Sequence, residues 1–164
     1  MYQYSFANVD LIIDKMDFPD NPNPSHFKVT GYGTGEGLIN IMRRAPISTA
    51  TFGAYGDMVV NMQRILAGDL SFPILMNAPE NKYFQDYANY FQEQANANGE
   101  LVIPIQAKMV DNMGNDKAKL VNGVILAMPA MIRGQTMNTV TWVITFEKVI
   151  FTREKGGDVD NIGD

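Results

Sequence analysis

In residues 139–152, TVTWVITFEKVIFT, Val140, Trp142, Ile144, Phe146 and Ile150 fall on one side of a two-residue period, with Thr139, Thr141, Thr145 and Glu147 on the other. Successive side chains of an extended chain point to opposite faces, so this alternation of aromatic and β-branched residues with polar ones predicts a half-buried strand. The same period recurs along most of the chain. Tyr4, Phe6, Val9, Leu11 and Ile13 mark a β-prone first segment, HFKVTGYG reads as a short strand, and LINIMRR places Ile39, Ile41 and Arg43 on one side. STATFGAYGDMVVNMQRI reads as two strands joined by GAYGD, with Gly53 and Gly56 expected at positive φ. LSFPILM puts Leu70, Phe72, Ile74 and Met76 on one face. LVIPIQAKMV sets Ile103, Ile105, Ala107 and Met109 against Val102, Pro104, Gln106 and Lys108, the proline predicting an edge or a bulge. AKLVNGVILAM is read as the strand after the turn DNMGND.

One stretch has a helical period. In residues 79–97, Phe84, Tyr87, Ala88, Phe91 and Ala95 recur at spacings of three and four, opposite Gln85, Asn89, Gln92 and Asn96. Pro79 suits a first helical turn, Glu80 complements the helix dipole and Gly99 is placed to end the element. The tyrosines are expected to hold their hydroxyls at the wet edge of the packed face. The predicted fold is mainly β: a β-sandwich or barrel of seven or eight strands with one flanking α-helix.

Two segments obey neither period. DKMDFPDNPNPS carries prolines 19, 22 and 24 among Asp17, Asp20, Asn21 and Asn23, which predicts a stiff, acidic, exposed loop. Residues 154–164, EKGGDVDNIGD, hold too little apolar surface to pack and read as a flexible acidic tail, leaving residues 1–153 as a single domain. The whole chain of 164 residues is about the size of one domain around one core.

Composition narrows the function classes. Thirteen basic and 18 acidic residues give a net charge of −5, so the electrostatic footprint of a nucleic-acid binder is missing. No apolar run approaches the ~20 residues that span a bilayer, and the first residues lack a secretory pattern. With no cysteine, thiolate ligands and Cys nucleophiles are excluded. Eleven methionines suit core gaps and adaptable interfaces.

Candidate chemistry is sparse. GYGTGEG, residues 31–37, has the glycines of a phosphate loop, but a strand follows it instead of a helix, no Lys-Ser/Thr pair closes it, and Glu36 opposes an anion. A glycine-rich turn is the better reading. The single histidine, His26, has no Cys or His partner pattern around it, and DNMGND is half a calcium loop without the closing Glu, so a hairpin turn is preferred. No cofactor, metal or catalytic residue is assigned, and an enzyme is not expected. Arg43 and Arg44, with Arg64 and Arg133, could read phosphate or carboxylate groups, but are read as arginines that pair with acidic groups across subunits.

Taken in order, YSFANVDLIID, GEGLINIMRR, the GAYGD turn into a long strand, LSFPILMNAPENKYF into the helix, and TWVITFEKVI resemble the tail tube proteins of contractile-tailed bacteriophages, over roughly residues 2–152. That family is related in fold to phage-tail-like bacteriocin and type VI secretion tubes. The resemblance implies a structural virion protein stacked as hexameric rings, through whose lumen DNA passes without sequence-specific binding. It implies the tail sheath, baseplate and tape measure proteins as partners, besides further copies of the chain, and a place in the virion tail after assembly in the host cytoplasm. Acidic and amide groups around the lumen would repel DNA phosphates and let DNA slide.

On that reading, Asp17, Phe18, Pro19, Asp20, Asn21, Gly31, Tyr32, Gly33, Arg43, Arg44 and Tyr55 are candidates for contact between subunits or rings, and Val59, Asn61 and Gln63 for the lumen. The proline loop and the acidic tail match no feature of the family. Two alternatives stand beside the tube: a tail terminator or baseplate ring protein of the same fold, and a ligand- or carbohydrate-binding β-sandwich using Trp142 or the helix tyrosines as a stacking platform. Trp142 alternates with Val140 and Ile144, which favours a core position for it.

Overall fold

The computed structural model describes residues 5–32, 39–95, 97, 99, 103–112, 116–136 and 138–153. Its strands are β1 (Val9–Lys15), β2 (Phe27–Lys28), β3 (Asn40–Arg43), β4 (Ser48–Phe52), β5 (Met58–Met62), β6 (Gly68–Leu75), β7 (Ile105–Asp111), β8 (Asp116–Val124) and β9 (Thr139–Arg153). The helix α1 (Pro79–Asn89) continues as a π-helical turn at Tyr90–Ala95. The chain is therefore mainly β, as the two-residue period predicts, with nine strands among the described residues. Seven of them form one antiparallel sheet in the order β2-β1-β7-β8-β9-β6-β3, curled into a half-barrel, while β4 and β5 pair only with each other.

The inner face of the sheet carries the expected residues. Leu11, Ile13, Leu70, Phe72, Ile74, Ile105, Ala107, Trp142, Ile144 and Phe146 are all buried in one cluster, closed by Phe84 and Tyr87 of α1. Full burial of such a side chain contributes about 1.5–3 kcal/mol, so this cluster dominates the stability. Phe84 is its hub, with ring centroids 5.4 Å from Phe72, 5.5 Å from Trp142 and 5.7 Å from Phe27. Tyr87 departs from the wet-edge expectation: it is buried and its hydroxyl donates to the Ile103 carbonyl at 2.7 Å. Burial raises its pKa.

The alternation of β9 breaks once. After Phe146 the next buried residue is Val149, so Ile150, placed by period on the apolar face, is only half-buried. The cause lies on β8, where Asn122 adopts φ +56° and an extra residue opposes β7, Ile105 pairing with Gly123 but Ala107 with Leu120. Such a bulge shifts which residues face inward, and β9 follows it, with Gly123 opposite Phe146 and Leu120 opposite Val149. Gly123 is required there, because a Cβ would run into the Phe146 ring.

Prolines mark the ends and edges. β7 starts immediately after Pro104. Pro73 lies inside β6 and points its missing N–H to the same side as Leu75, whose N–H bonds Gly31 at 2.7 Å, so the ladder to β9 is intact. β8 ends at Val124, earlier than the apolar run to Met128 predicts, and residues 125–138 hold no helix or strand among those described. The acidic tail 154–164 and the larger part of the glycine stretch, residues 33–37, lie outside the described residues, as does Leu38.

Candidate functional site

Every residue of β4 and β5 is exposed. Their pairing register divides the ribbon into two unlike faces. Ser48 opposite Met62, Ala50 opposite Val60 and Phe52 opposite Met58 form an apolar face, with Phe52 68% and Met62 72% exposed. Thr49 opposite Asn61 and Thr51 opposite Val59 form the other, which is polar but uncharged. Among the described residues, neither outer edge is hydrogen-bonded to another strand. An isolated two-stranded hairpin is marginal in water, and open edges beside apolar side chains invite another chain.

The turn closing the ribbon is built by Gly53 donating to the Asp57 carbonyl at 2.7 Å and Gly56 to the Gly53 carbonyl at 3.1 Å. Gly56 takes φ +89°, but Gly53 is not at positive φ, so one glycine does what two were expected to do. Tyr55 at the tip is 98% exposed. Of the lumen candidates, Val59 and Asn61 share the uncharged face, and Gln63 follows them half-buried, its N–H bonded to Ile47 O at 2.9 Å.

The other candidates are engaged within the chain. Arg44 pairs with Asp69 at 3.0 Å, and Arg43 donates to the Val149 carbonyl at 2.8 Å with Phe151 against its guanidinium. Gly31 is pressed against Ala78, where a Cβ could not fit, and Tyr32 bridges to Ile74 and meets Phe6 edge-on at 5.2 Å. Burial, with the nearby Glu80 and Asp10 carboxylates, raises the Tyr32 pKa. Gly33 lies outside the described residues.

The proline loop is fastened on one side. Phe18 stacks on Tyr90 at 5.0 Å, Asp17 accepts from the Phe18 N–H at 2.9 Å and from Asn21 at 3.3 Å, and Asp20 takes φ +59°. Asn23 donates to Asp86 of α1 at 2.7 Å, and Lys82 to the same oxygen at 2.9 Å. Desolvation would raise the Asp86 pKa, but these two hydrogen bonds outweigh it and hold the carboxyl below its usual value. Pro19 and Asp20 alone of the five loop candidates stay exposed.

A second surface was not legible from period. Met76, Val140 and Trp142, with Lys82 and Gln85 of α1 and Met131 and Arg133 of the segment after β8, line an open groove of about 200 Å³. The available signal was ILAMPAMIRG, a methionine-rich run that loses its alternation at Pro129. Trp142 is 1% exposed with its N–H on Asn81, which leaves no ring face for a stacked sugar. His26 is exposed, with Nδ1 3.3 Å from the Asp14 carbonyl. Among the described residues no three His, Cys, Asp or Glu side chains group to hold a metal, and no helix is long and apolar enough to cross a membrane.

The fold recurs in assembled machines. The chain is similar in structure to the tube-terminating cap of the anti-feeding prophage, with a TM-score of 0.57 at 9% identity over 94% of this chain and 93% of that one. It is also similar to the sheath/tube terminator of the extracellular contractile injection system PVC in its extended state, with a TM-score of 0.54 at 7% identity over 93% of this chain and 98% of that one. At such identities the likeness is one of fold. No protein-family model and no curated protein matches the sequence.

Proposed function

We propose that the protein is a ring-forming structural subunit of a contractile tail or injection apparatus, seated at the end of the inner tube as its terminator. The observation that carries this reading is the β4–β5 ribbon, an exposed hairpin with two open edges and one apolar face. A subunit that keeps such a surface needs copies of itself to cover it, and a contact between unlike patches closes into a ring. The terminator position is favoured over the body of the tube because the two fold likenesses described above are to terminating components.

In this arrangement the apolar face packs within the ring and the uncharged face of Thr49, Thr51, Val59 and Asn61 turns to the lumen. Hydroxyl and amide groups there hold neither a phosphate nor a cation strongly, so DNA passes without being retained. The end of the sheath and the last ring of the tube are the expected neighbours. The single domain of residues 1–153 supplies this body, with 154–164 as an appended tail.

Electron microscopy of the purified protein, with light scattering for mass, tests the reading. A closed ring of six copies of the 18.3 kDa chain, about 110 kDa, that does not extend with concentration is the expected result. Long hollow tubes would move the protein to the tube body instead, and a monomer at every concentration would overturn ring formation.

A further inference from the structure

The ribbon tip and the groove beside α1 are separate surfaces of one chain, and their chemistries match. The tip carries Tyr55, 98% exposed, two residues before Asp57. Tyrosine is a frequent interface anchor, because a large, stiff ring gains contact area at low entropic cost and its hydroxyl accepts or donates at the rim. The groove offers an apolar base at Met76 and Val140, a thioether at Met131 and the Arg133 guanidinium on its rim, Lys82 being already paired with Asp86. Sulfur beside an aromatic edge and a cation beside a phenol oxygen are both favourable.

Charge supports the same pairing. Neither Arg133 nor Asp57 has an ion-pair partner among the described residues. The groove wall is also exposed where a partner would meet it, with Met131 77% exposed. An apolar slot with Arg133 on its rim fits a tip that presents an aromatic ring and a carboxylate together.

We propose that Tyr55 of one copy seats in the groove between α1 and the 125–138 segment of the next copy, with Asp57 beside Arg133. The inference rests on the ring reading and specifies its contact. Knob and slot are different patches, so the contact is heterologous and propagates around a ring, whereas tip-to-tip pairing would stop at two copies.

The chain has no cysteine, so introduced thiols are unique. The test is an Ala54→Cys, Ala130→Cys double variant, which places a thiol beside the tip and in the groove while keeping Tyr55 and Met131, treated with a short bismaleimide and run on a denaturing gel. A ladder of covalent multimers up to the ring number is expected. An equimolar mixture of the two single variants should stop at the dimer, and each single variant alone should stay monomeric. Both alanines are exposed, and the fluorescence of the one tryptophan checks that the fold is retained. If the double variant forms rings by microscopy yet runs as a monomer after cross-linking, the contact is wrong and the ring reading survives. A dimer from Ala54→Cys alone would also overturn it, in favour of tip-to-tip pairing. If the unmodified protein forms no ring at any concentration, both readings fall together.

Discussion

The indole N–H of Trp142 donates to the side-chain oxygen of Asn81 at 2.9 Å, and the Asn81 amide donates onward to the Leu75 carbonyl at 2.6 Å. One side chain in the first turn of α1 thus satisfies polar groups from β9 and the end of β6, at the base of the groove. The sequence pattern places Trp142 in the core correctly but gives no hint of where its N–H goes.

Replacing Asn81 with Leu should leave the Trp142 N–H unpaired, while the Leu75 carbonyl keeps the Ala78 N–H at 2.9 Å. A buried donor without a partner costs about 1–3 kcal/mol, so the urea midpoint should fall while the denaturant slope stays constant. Trp142 is the only tryptophan, and its fluorescence follows the transition directly.

Glu80 is the one buried charged residue among those described, and its Oε1 accepts from the Thr30 N–H at 2.9 Å and the Thr30 hydroxyl at 3.0 Å. Glu80→Ala should cost about 1–3 kcal/mol by orphaning a backbone donor, whereas Thr30→Val, which removes only the hydroxyl bond, should cost about 0.5–1.5 kcal/mol. Equilibrium unfolding of the two variants gives the order, and equal losses would show that the backbone bond matters little.

Asp86 and Asp10 both titrate below the usual carboxylate value of 3.8, Asp10 through hydrogen bonds from Lys28 and Asn112. A folded-state pKa below the unfolded one stabilises the protein above that value, and the contribution fades as pH falls through the folded pKa. Asp86→Asn should therefore lower the unfolding midpoint at about pH 7 and make little difference at about pH 2, well into the acid limb. A gap of equal size at both pH values would mean that the carboxylate charge is not what holds the proline loop to α1.

Gly123→Ala forces a methyl against the Phe146 ring, whose Cδ1 would lie at 2.7 Å and Cζ at 2.9 Å. Overpacking of this kind costs about 1–3 kcal/mol, at about 2–4 °C in Tm per kcal/mol for a chain of this size. Thermal unfolding should show a fall of several degrees with the far-UV spectrum unchanged.

The sequence carried the sheet well where burial is one-sided. Leu70, Phe72, Ile74, Trp142, Ile144 and Phe146 all point inward as their period requires, because a slip of one residue would turn each of them to water. It carried less where a single backbone angle resets the phase: the Asn-Gly pair in VNG permits a left-handed Asn122, but a two-residue period does not show that it turns Val149 inward in place of Ile150. Arg43 and Arg44 looked available for partners because intrachain bonds to Val149 and Asp69 join residues far apart in sequence. The ribbon was legible as a hairpin and its turn as a turn, but periodicity cannot tell a strand that packs from one that projects. The groove was missed because residues 125–138 have no period to read.

A projecting ribbon also makes assembly visible from outside. In a free subunit residues 53–57 form a bare loop of small and polar groups around one tyrosine, the kind of site proteases nick first. Once a neighbour holds that tip, the same bond is shielded although the subunit's own fold has not changed. The rate at which chymotrypsin cuts after Tyr55 would then count unincorporated subunits in a mixture, and the survivors would be those that had found a neighbour.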